Sequence, residues 1–288
     1  MKSKKRRFLD LGHAAAGAMF HVIPAPLEKT VSYGKGTARG PAAILDASTK
    51  LELFDGEGVP SELGIHTRPP VDCSGPMETA LANIGKAVAK ALDKGAIPVT
   101  LGGEHSVTIG AIAPFAKSFG CRLGLVQFDA HSDLRDKLGG SRWSHGCVMR
   151  RAHDMDVRLF QLGIRSMSPE EVVFRQERHI ERLDAWDILE KGLPDPFLPA
   201  DFPPLVYVTF DVDALDPSLM PATGTPEPGG LSWHHAMKSL GQIARDRQVV
   251  GMDFLELAPI PGMAAPDFTV ARLVYNAMGM VGRANSLR

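Results

Sequence analysis

The sequence predicts an α/β protein built on a parallel β-sheet with helices on both faces. Short apolar runs alternate along the chain with amphipathic stretches, which is the pattern of successive βαβ units. The runs are continuously apolar, as expected of strands that are buried on both faces. Acidic residues and histidines follow several of these runs. Open α/β sheets bind ligands at the carboxyl ends of their strands, so the pattern also predicts where a functional site lies.

Eight runs have the length and composition of strands. They are Ala18–Ile23, Leu63–His66, Ile97–Leu101, Arg122–Phe128, Arg158–Ile164, a weaker one at Arg178–Leu183, Leu205–Phe210 and Gln248–Phe254. Five stretches are predicted to be helices: Met77–Lys94, Val107–Ser118, Pro169–Gln176, Ser232–Arg245 and Pro266–Arg283. In the first of these, Ala80, Ile84, Val88 and Leu92 fall on one stripe and Gly95 provides a stop signal.

Length and composition favour one large globular domain over residues 1–288. Apolar residues make up 44% of the chain and charged residues 23%, both ordinary values for a soluble protein. Residues 1–17 are predicted to be a flexible or peripheral N-terminal segment. The proline-rich segment Gly192–Pro204 resembles a linker, but candidate site residues lie on both sides of it. It is therefore predicted to be an ordered surface loop within the domain.

Charge and cysteine content exclude several classes of protein. The net charge of -1 gives no case for nucleic-acid binding, and the basic run Lys2–Arg7 is interpreted as a solvated tail. Asp10 and His13 interrupt the region that a signal peptide would need, and no stretch is long and apolar enough to span a bilayer. Three cysteines at unrelated spacings are compatible with a reducing compartment. We expect a cytoplasmic protein without nucleic-acid or membrane partners.

Six potential metal ligands follow three of the apolar runs. They are His105, then Asp129, His131 and Asp133, then Asp211 and Asp213. Residues two and four apart in an extended chain point to the same side, so each group can face one cavity. An isolated Asp-x-His or Asp-x-Asp is more often a turn or helix cap, and it is the coincidence of three groups that favours metal. Imidazoles and carboxylates without thiolates suit Mn²⁺, so we predict a dinuclear manganese site.

The charge of such a site favours a cationic substrate. Two divalent ions held about 3.5–4 Å apart lower the pKa of a shared water molecule and make it a nucleophile. Four aspartates and a hydroxide leave the cluster at about minus one by simple charge counting, which disfavours phosphate. A guanidinium is cationic, planar and has an electrophilic carbon. The predicted reaction is hydrolysis of a guanidino C–N bond to urea and an amine.

Two further residues are candidates for catalysis. His145 follows the loop after Asp133 and could carry a proton to the leaving amine, although an ordinary turn histidine is the alternative. Glu256 ends the run that begins at Gln248 and could bind the guanidinium, with a helix-capping role before Pro259 as the alternative. Asp253 lies inside that run and is interpreted as structural. The segments 133–144 and 218–230 are predicted to form the walls of a substrate pocket.

Together these motifs resemble the ureohydrolases, the family of arginase and agmatinase, and are most similar to agmatinase. The resemblance rests on GGEHS, DAHSD, SHG, DVDALDP and the tract TGTPEPGG at 223–230. It implies a three-layer α/β/α fold around an eight-stranded parallel sheet, two Mn²⁺ per chain, and homo-oligomers that are trimers or hexamers. It also implies the ligand sets: His105, Asp129, Asp133 and Asp211 for one ion, and His131, Asp129, Asp211 and Asp213 for the other. In this family pattern Asp133 passes a proton to the leaving nitrogen, His145 acts as its shuttle, and Glu256 contacts the guanidinium.

The substrate is less narrowly determined. This chain departs from the arginases after the stretch Gly163–Arg165. Arginases have an acidic residue there that binds the α-ammonium group of arginine, whereas this chain has Ser166–Ser168. We therefore predict agmatine, cleaved to putrescine and urea. Arg135, Lys137 and Arg142 suit its ammonium group poorly unless they point outward or pair with Asp136, so a guanidinobutyrase, an aminopropylagmatine ureohydrolase and an arginase are the alternatives.

Two hypotheses come from other classes of protein. A mononuclear zinc deacetylase would use one histidine and two aspartates on a similar fold, and the complete second ligand set argues against it. A non-catalytic binding protein on the same scaffold would be expected to have lost ligands or the proton shuttle, and all eight candidate positions are intact.

Overall fold

The structure, a computed structural model, describes residues 5–288 and contains one sheet of eight parallel strands. The strands are β1 Phe20–Ala25, β2 Ile65–Thr67, β3 Ile97–Gly102, β4 Leu123–Phe128, β5 Arg158–Leu162, β6 Glu181–Leu183, β7 Leu205–Asp211 and β8 Gln248–Leu255. Their order across the sheet is β2-β1-β3-β8-β7-β4-β5-β6. Each predicted run forms one of these strands, which confirms the prediction of a parallel α/β sheet.

Eight α-helices surround the sheet in the described part of the chain. They are α1 Gly40–Ser48, α2 Met77–Leu92, α3 Val107–Phe119, α4 Val148–His153, α5 Pro169–Glu177, α6 Ala185–Lys191, α7 Trp233–Asp246 and α8 Ala265–Ser286. The sequence did not predict α1, α4 or α6, which have six to nine residues and show no clear 3.6-residue period. A capping box begins α7 at Ser232, and the Glu171 carboxylate caps α5 by accepting from the backbone N–H of Ser168 at 2.8 Å.

Two hydrophobic clusters lie on opposite faces of the sheet and make the fold three-layered. One cluster contains Leu240 of α7 and Val274 of α8, and the other contains Ile84 of α2 and Ile112 of α3. The predicted α/β/α arrangement is therefore confirmed. No helix within residues 5–288 has the length and apolar content needed to cross a membrane.

The N-terminal segment contacts the domain along part of its length. Phe8 is fully buried, its ring is stacked 6.4 Å from that of Tyr275, and its backbone N–H donates to Thr67 Oγ1 at 2.9 Å. Residues 1–4 of the predicted basic tail lie outside the described residues, so the interpretation of Lys2–Arg7 as a solvated tail stays a prediction, as does the single-domain boundary. The loop 192–204 is held by Phe202, which is buried, and by Arg247, which donates to Pro199 O at 2.6 Å.

The topology brings the candidate ligands together at one edge of the sheet. Strands β3, β8, β7 and β4 are consecutive neighbours in its centre. His105, Glu256, Asp211 and Asp129 lie at or just beyond their carboxyl ends. Parallel strands end at the same edge, so residues far apart in the sequence share one site.

Candidate metal centre and active site

The six predicted ligands converge in a buried cluster. His105 Nδ1 lies 3.0 Å from Asp129 Oδ2, 3.0 Å from Asp133 Oδ2 and 3.5 Å from Asp211 Oδ2. Nδ1 nevertheless makes no hydrogen bond of good geometry with any of these carboxylates. On the other side of Asp129, His131 Nδ1 lies 3.0 Å from Asp213 Oδ2 and 3.7 Å from Asp129 Oδ1. Ligand atoms that converge without pairing are the arrangement that a metal ion needs.

Two groups of ligand atoms are each compact enough to hold a divalent ion. The first consists of His105, Asp129 and Asp211, and the second of Asp129, His131 and Asp213. Asp129 belongs to both, with one carboxylate oxygen toward each histidine. Asp133 adjoins the first group through its contact with His105. The shared Asp129 is what a dinuclear centre requires and what a mononuclear site lacks.

Hydrogen bonds from neighbouring groups orient the carboxylates. Gln127 Nε2 donates to Asp129 Oδ2 at 2.7 Å, and the backbone N–H of His131 donates to Asp129 Oδ1 at 2.6 Å. The backbone N–H of Asp213 donates to Asp211 Oδ1 at 2.9 Å. That of Ala130 donates to Asp213 Oδ1 at 3.0 Å. Supporting contacts of this kind set the direction in which metal ligands present their lone pairs.

Backbone strain occurs at two of the predicted catalytic residues. Asp133 has φ of 53° and Glu256 has φ of 65°, a region that non-glycine residues rarely adopt. Such conformations cost of order 1–3 kcal/mol and persist where the surroundings hold them. Glu256 is held by its N–H, which donates to Gly103 O at 2.8 Å. Asp133 is held through its carbonyl, which accepts from Met149 N at 3.0 Å.

The buried carboxylates of the cluster favour the binding of positive charge. Burial raises the pKa of Asp133 to about 7 and, reinforced by the Asp213 and Asp129 charges, raises the pKa of Asp211 well above its usual range. Burial alone would lower the pKa of His131, but Asp129 and Asp213 raise it to about 12. The concentrated negative charge of these carboxylates therefore favours the binding of protons or cations. Two divalent ions with imidazole and carboxylate ligands fit the same positions.

Metal binding should accordingly weaken as the pH falls. At pH 8 the carboxyl group of Asp133 is mostly ionised, whereas at pH 6 it holds a proton, since its pKa is about 7. His131 keeps its proton at both pH values, because its pKa is about 12. An entering ion must displace these protons, so we expect affinity to fall roughly tenfold per pH unit for each additional proton displaced. Competition titrations with Mn²⁺ at pH 6, 7 and 8 measure this, and an affinity independent of pH would contradict the assignment.

His145 lies in the same cleft as the predicted metal ligands. Its ring Nδ1 is 3.3 Å from both Thr30 Oγ1 and Ser144 Oγ, and its backbone N–H donates to Thr30 Oγ1 at 3.0 Å. Burial lowers the pKa of His145, so its ring is neutral at pH 7. The buried Glu104 accepts a hydrogen bond from Thr30 Oγ1 at 2.8 Å and thereby fixes the hydroxyl group that His145 contacts.

Glu256 is buried at the base of the cleft. Its Oε1 accepts from the backbone N–H of His105 at 2.6 Å, which ties the end of β8 to the loop after β3. Burial raises the pKa of Glu256 well above its usual range. Its Oε2 lies beside Gly224 of the 223–230 tract. A Cβ at position 224 would lie 3.9 Å from that oxygen, an ordinary van der Waals distance.

The cleft has a volume of about 380 Å³ and receives side chains from the predicted wall segments. Arg135 and Leu138 from the first segment and Thr225 from the second line it, together with Ser166 and Ser168. The early loop at Val31–Gly34 completes the lining. Both segments predicted as walls therefore contribute to the cleft.

Of the three basic residues in the 134–144 loop, Arg135 alone lines this cleft in the described structure. It lies 3.6 Å from Glu171 Oε2 and 3.9 Å from Glu170 Oε1. Arg142 instead lies 3.5 Å from Asp154, and Lys137 is exposed. Asp136 pairs with Arg151 at 2.7 Å and not with a neighbour in the loop. Among the arginines and lysines of residues 5–288, the cleft therefore contains Arg135, which faces two carboxylates.

Several supporting residues were not identified from the sequence. Glu171 accepts from Ser132 Oγ at 2.8 Å and Leu134 N at 3.0 Å, and also caps α5 through Ser168. Gln127 and Glu104 have comparable roles beside the ligands. The available signal was a polar residue within or next to an apolar strand run, as at Gln127. That signal does not name a partner, because the partner comes from another element.

Comparison with known proteins gives consistent results. A sequence model of the arginase family matches residues 18–279. The N(1)-aminopropylagmatine ureohydrolase of Thermus thermophilus is 40% identical over 265 residues, covering 91% of this chain and 89% of that protein. The agmatinase of Pyrococcus horikoshii is 34% identical over 273 residues, covering 92% and 93%. The crystal structure of agmatine ureohydrolase from Thermoplasma volcanium has a TM-score of 0.87 at 27% identity, covering 100% of this chain and 98% of that one.

Proposed function

This chain belongs to the arginase family and hydrolyses guanidino groups with release of urea, and we propose that its substrate is agmatine, cleaved to putrescine and urea. The observation that carries the proposal is the pair of ligand groups sharing Asp129 in a cleft without an acidic residue at Ser166–Ser168. A guanidinium is attracted to such a carboxylate-rich base. The α-ammonium of arginine finds no dedicated carboxylate at that wall.

We propose two Mn²⁺ per chain as the metals. His105, Asp129, Asp133 and Asp211 would hold one ion, and His131, Asp129, Asp211 and Asp213 the other. The mixture of nitrogen and oxygen donors without sulfur supports manganese over a structural zinc site. Two such ions supply an activated water molecule and offset the negative charge of the aspartates.

Binding of the guanidinium and transfer of protons are assigned to three side chains of this protein. Glu256 has one oxygen engaged by His105 N, and its other oxygen is available to accept an N–H of the guanidinium. Asp133 lies within the ligand cluster and would take up the proton released on attack at the guanidinium carbon. His145 is neutral and lines the cleft, so it can accept a proton and pass it to the leaving amine. These three roles are proposals that the variants below test.

The contacts of Arg135 affect which charge the cleft favours at the end of the substrate remote from the guanidinium, here called the tail. Arg135 would repel the ammonium group of agmatine if it were unpaired. Its contacts with Glu171 and Glu170 offset that charge, and Glu227, whose Oε1 lies 3.8 Å from His131 Nε2, adds a partly exposed carboxylate nearby. This arrangement supports a cationic tail over a carboxylate tail.

A longer cationic substrate is the second candidate. The Thermus thermophilus relative acts, by its name, on N(1)-aminopropylagmatine and is more similar to this chain than the Pyrococcus horikoshii agmatinase is. The additional aminopropyl group carries a further positive charge, and the partly exposed Glu227, which lies 3.8 Å from the cleft residue His131, would attract it.

A urea-release screen with added Mn²⁺ tests the substrate. We expect kcat/KM for agmatine and aminopropylagmatine to exceed that for arginine and guanidinobutyrate at least about tenfold, since one charge-assisted contact contributes about 1.5–3 kcal/mol. Arg135→Gln should raise kcat/KM for the cationic substrates or leave it unchanged. A preference for guanidinobutyrate that disappears in Arg135→Gln would instead identify Arg135 as a carboxylate-binding residue and contradict the proposal.

We also propose that the chain forms a homo-oligomer, a trimer or a hexamer. Support comes from large apolar side chains that are exposed in the single chain. Val173 on α5 and Trp186 and Leu189 on α6 are each more than half exposed, at 52%, 67% and 64%. These residues lie on two helices that follow one another along the chain, and exposed apolar surface is typical of subunit interfaces.

A further inference from the structure

A buried chain of hydrogen bonds runs from His105 away from the ligand cluster. His105 Nε2 lies 3.0 Å from Thr209 Oγ1, and Thr209 Oγ1 lies 3.1 Å from Thr108 Oγ1. Thr108 Oγ1 donates to Asp253 Oδ2 at 2.9 Å, and Tyr207 OH donates to the same oxygen at 2.8 Å. The side chains are buried throughout. The chain therefore ends on a carboxylate beneath the metal centre.

Three elements assemble this network. Thr209 on β7 and Asp253 on β8 are paired directly across the two strands. Thr108 lies in the first turn of α3, three residues after His105. The side chains meet because β8 is the neighbour of both β3 and β7 in the sheet.

Burial of the Asp253 carboxylate at this position is energetically unfavourable unless nearby positive charge offsets it. In the part of the chain that the structure describes, its hydrogen-bond partners are hydroxyl groups, and no lysine or arginine pairs with it. Burying a carboxylate without a cationic partner is unfavourable by several kcal/mol. Positive charge beyond His105 would offset that cost, and two divalent ions in the proposed centre are such a charge.

When Asp253 is ionised it can only accept hydrogen bonds, and the direction of each bond in the chain then follows. Asp253 Oδ2 accepts from Thr108, so the Thr108 oxygen is left to accept from the Thr209 hydroxyl. The Thr209 oxygen then accepts from His105 Nε2, which must carry the ring proton. Neutral histidine has one N–H, so Nδ1 is left with its lone pair directed at Asp129, Asp133 and Asp211.

We propose that Asp253 is a positioning residue for the metal centre: through Thr108 and Thr209 it holds His105 in the tautomer that presents Nδ1 to an ion. The inference rests on the proposed metal site. Its consequence is tighter metal binding, because partners behind a ligating histidine orient the ring and raise its basicity. Removing the network weakens metal affinity without removing any ligand.

Replacement of Thr209 tests the proposal at the middle of the chain. Thr209→Val keeps the shape of the side chain and deletes the hydroxyl, whereas Thr209→Ser keeps the hydroxyl and serves as the matched control. We expect Thr209→Val to raise the Mn²⁺ dissociation constant about 10–100-fold and Thr209→Ser to stay near the wild type. Asp253→Asn should weaken binding comparably. Equilibrium dialysis with elemental analysis gives the affinity and the stoichiometry.

Thermal melts with and without Mn²⁺ separate this role from a structural one. Metal that binds more weakly stabilises the fold less at a given concentration, so the increase in Tm caused by Mn²⁺ should shrink in Thr209→Val. Saturating Mn²⁺ should restore most of kcat. An unchanged dissociation constant, or an equal loss of Tm in the metal-free and metal-saturated states, would overturn the proposal. Failure of the wild type to bind two ions or release urea would instead contradict the proposed function.

Discussion

Asp129→Asn is expected to lower urea release at least about 1000-fold, equivalent to about 4 kcal/mol of activation free energy, and to deplete both ions. The reason is geometric. Asp129 belongs to both ligand groups, and its two oxygens face His105 and His131 separately. An amide supplies one neutral oxygen and turns an NH₂ group toward one of the two positions, so neither ion keeps its full set of anionic donors. Elemental analysis and urea assays on the same preparations measure both effects.

Two other substitutions make this result interpretable. Asp213 belongs to one ligand group and not to the other, so Asp213→Asn should weaken one ion more than its neighbour. Asp187 lies on α6 and pairs with Lys191 at 2.7 Å, so Asp187→Asn should leave metal content and activity unchanged. Two tightly bound ions together with full activity in Asp129→Asn would rule out a shared carboxylate at this position.

His145→Asn is expected to lower kcat about 100–10,000-fold, the usual contribution of a positioned acid–base group, while metal content stays at the wild-type level. The side chain lines the cleft but belongs to neither ligand group. Burial lowers its pKa, so the ring is neutral near pH 7 and can accept a proton before passing it on. Steady-state kinetics from pH 6 to 10, with metal analysis in parallel, measure the effect.

The matched control is His234→Asn, because His234 is exposed on α7, away from the cleft. It should retain full kcat at every pH. If His145→Asn also kept wild-type activity over the whole range, its role as proton shuttle would be wrong. A loss of activity that accompanies loss of metal would assign His145 to the integrity of the site and not to proton transfer.

Much of the fold was predictable from local composition. Strands that are buried on both faces must be apolar throughout, so runs such as Leu123–Phe128 and Leu205–Asp211 stand out without any knowledge of their neighbours. Short helices such as α1 and α6 depend on packing against other elements, and their sequences carry too little periodicity to reveal them.

The candidate site was predictable for a related reason. Its predicted ligands follow strand ends and are histidines and aspartates, residue types that bind divalent ions, so residue type and position together identify the candidates. The partners of those ligands were not accessible in the same way. Asp253 was interpreted as structural because it lies inside a strand run, and its contact with Thr108 brings together residues 145 positions apart.

The amino-acid sequence by itself determined the class of fold, the kind of metal ligands and the chemistry they suit, because these depend on residue type and on spacing within one segment. The tertiary structure alone decided that Arg135 faces Glu171 inside the cleft while Asp136 pairs with Arg151, and that the buried carboxylate of Asp253 is linked to His105 through Thr108 and Thr209. These outcomes depend on distances between elements that are remote along the chain. Coulomb and hydrogen-bond energies change steeply over one or two ångströms, so spacing along the chain does not determine them.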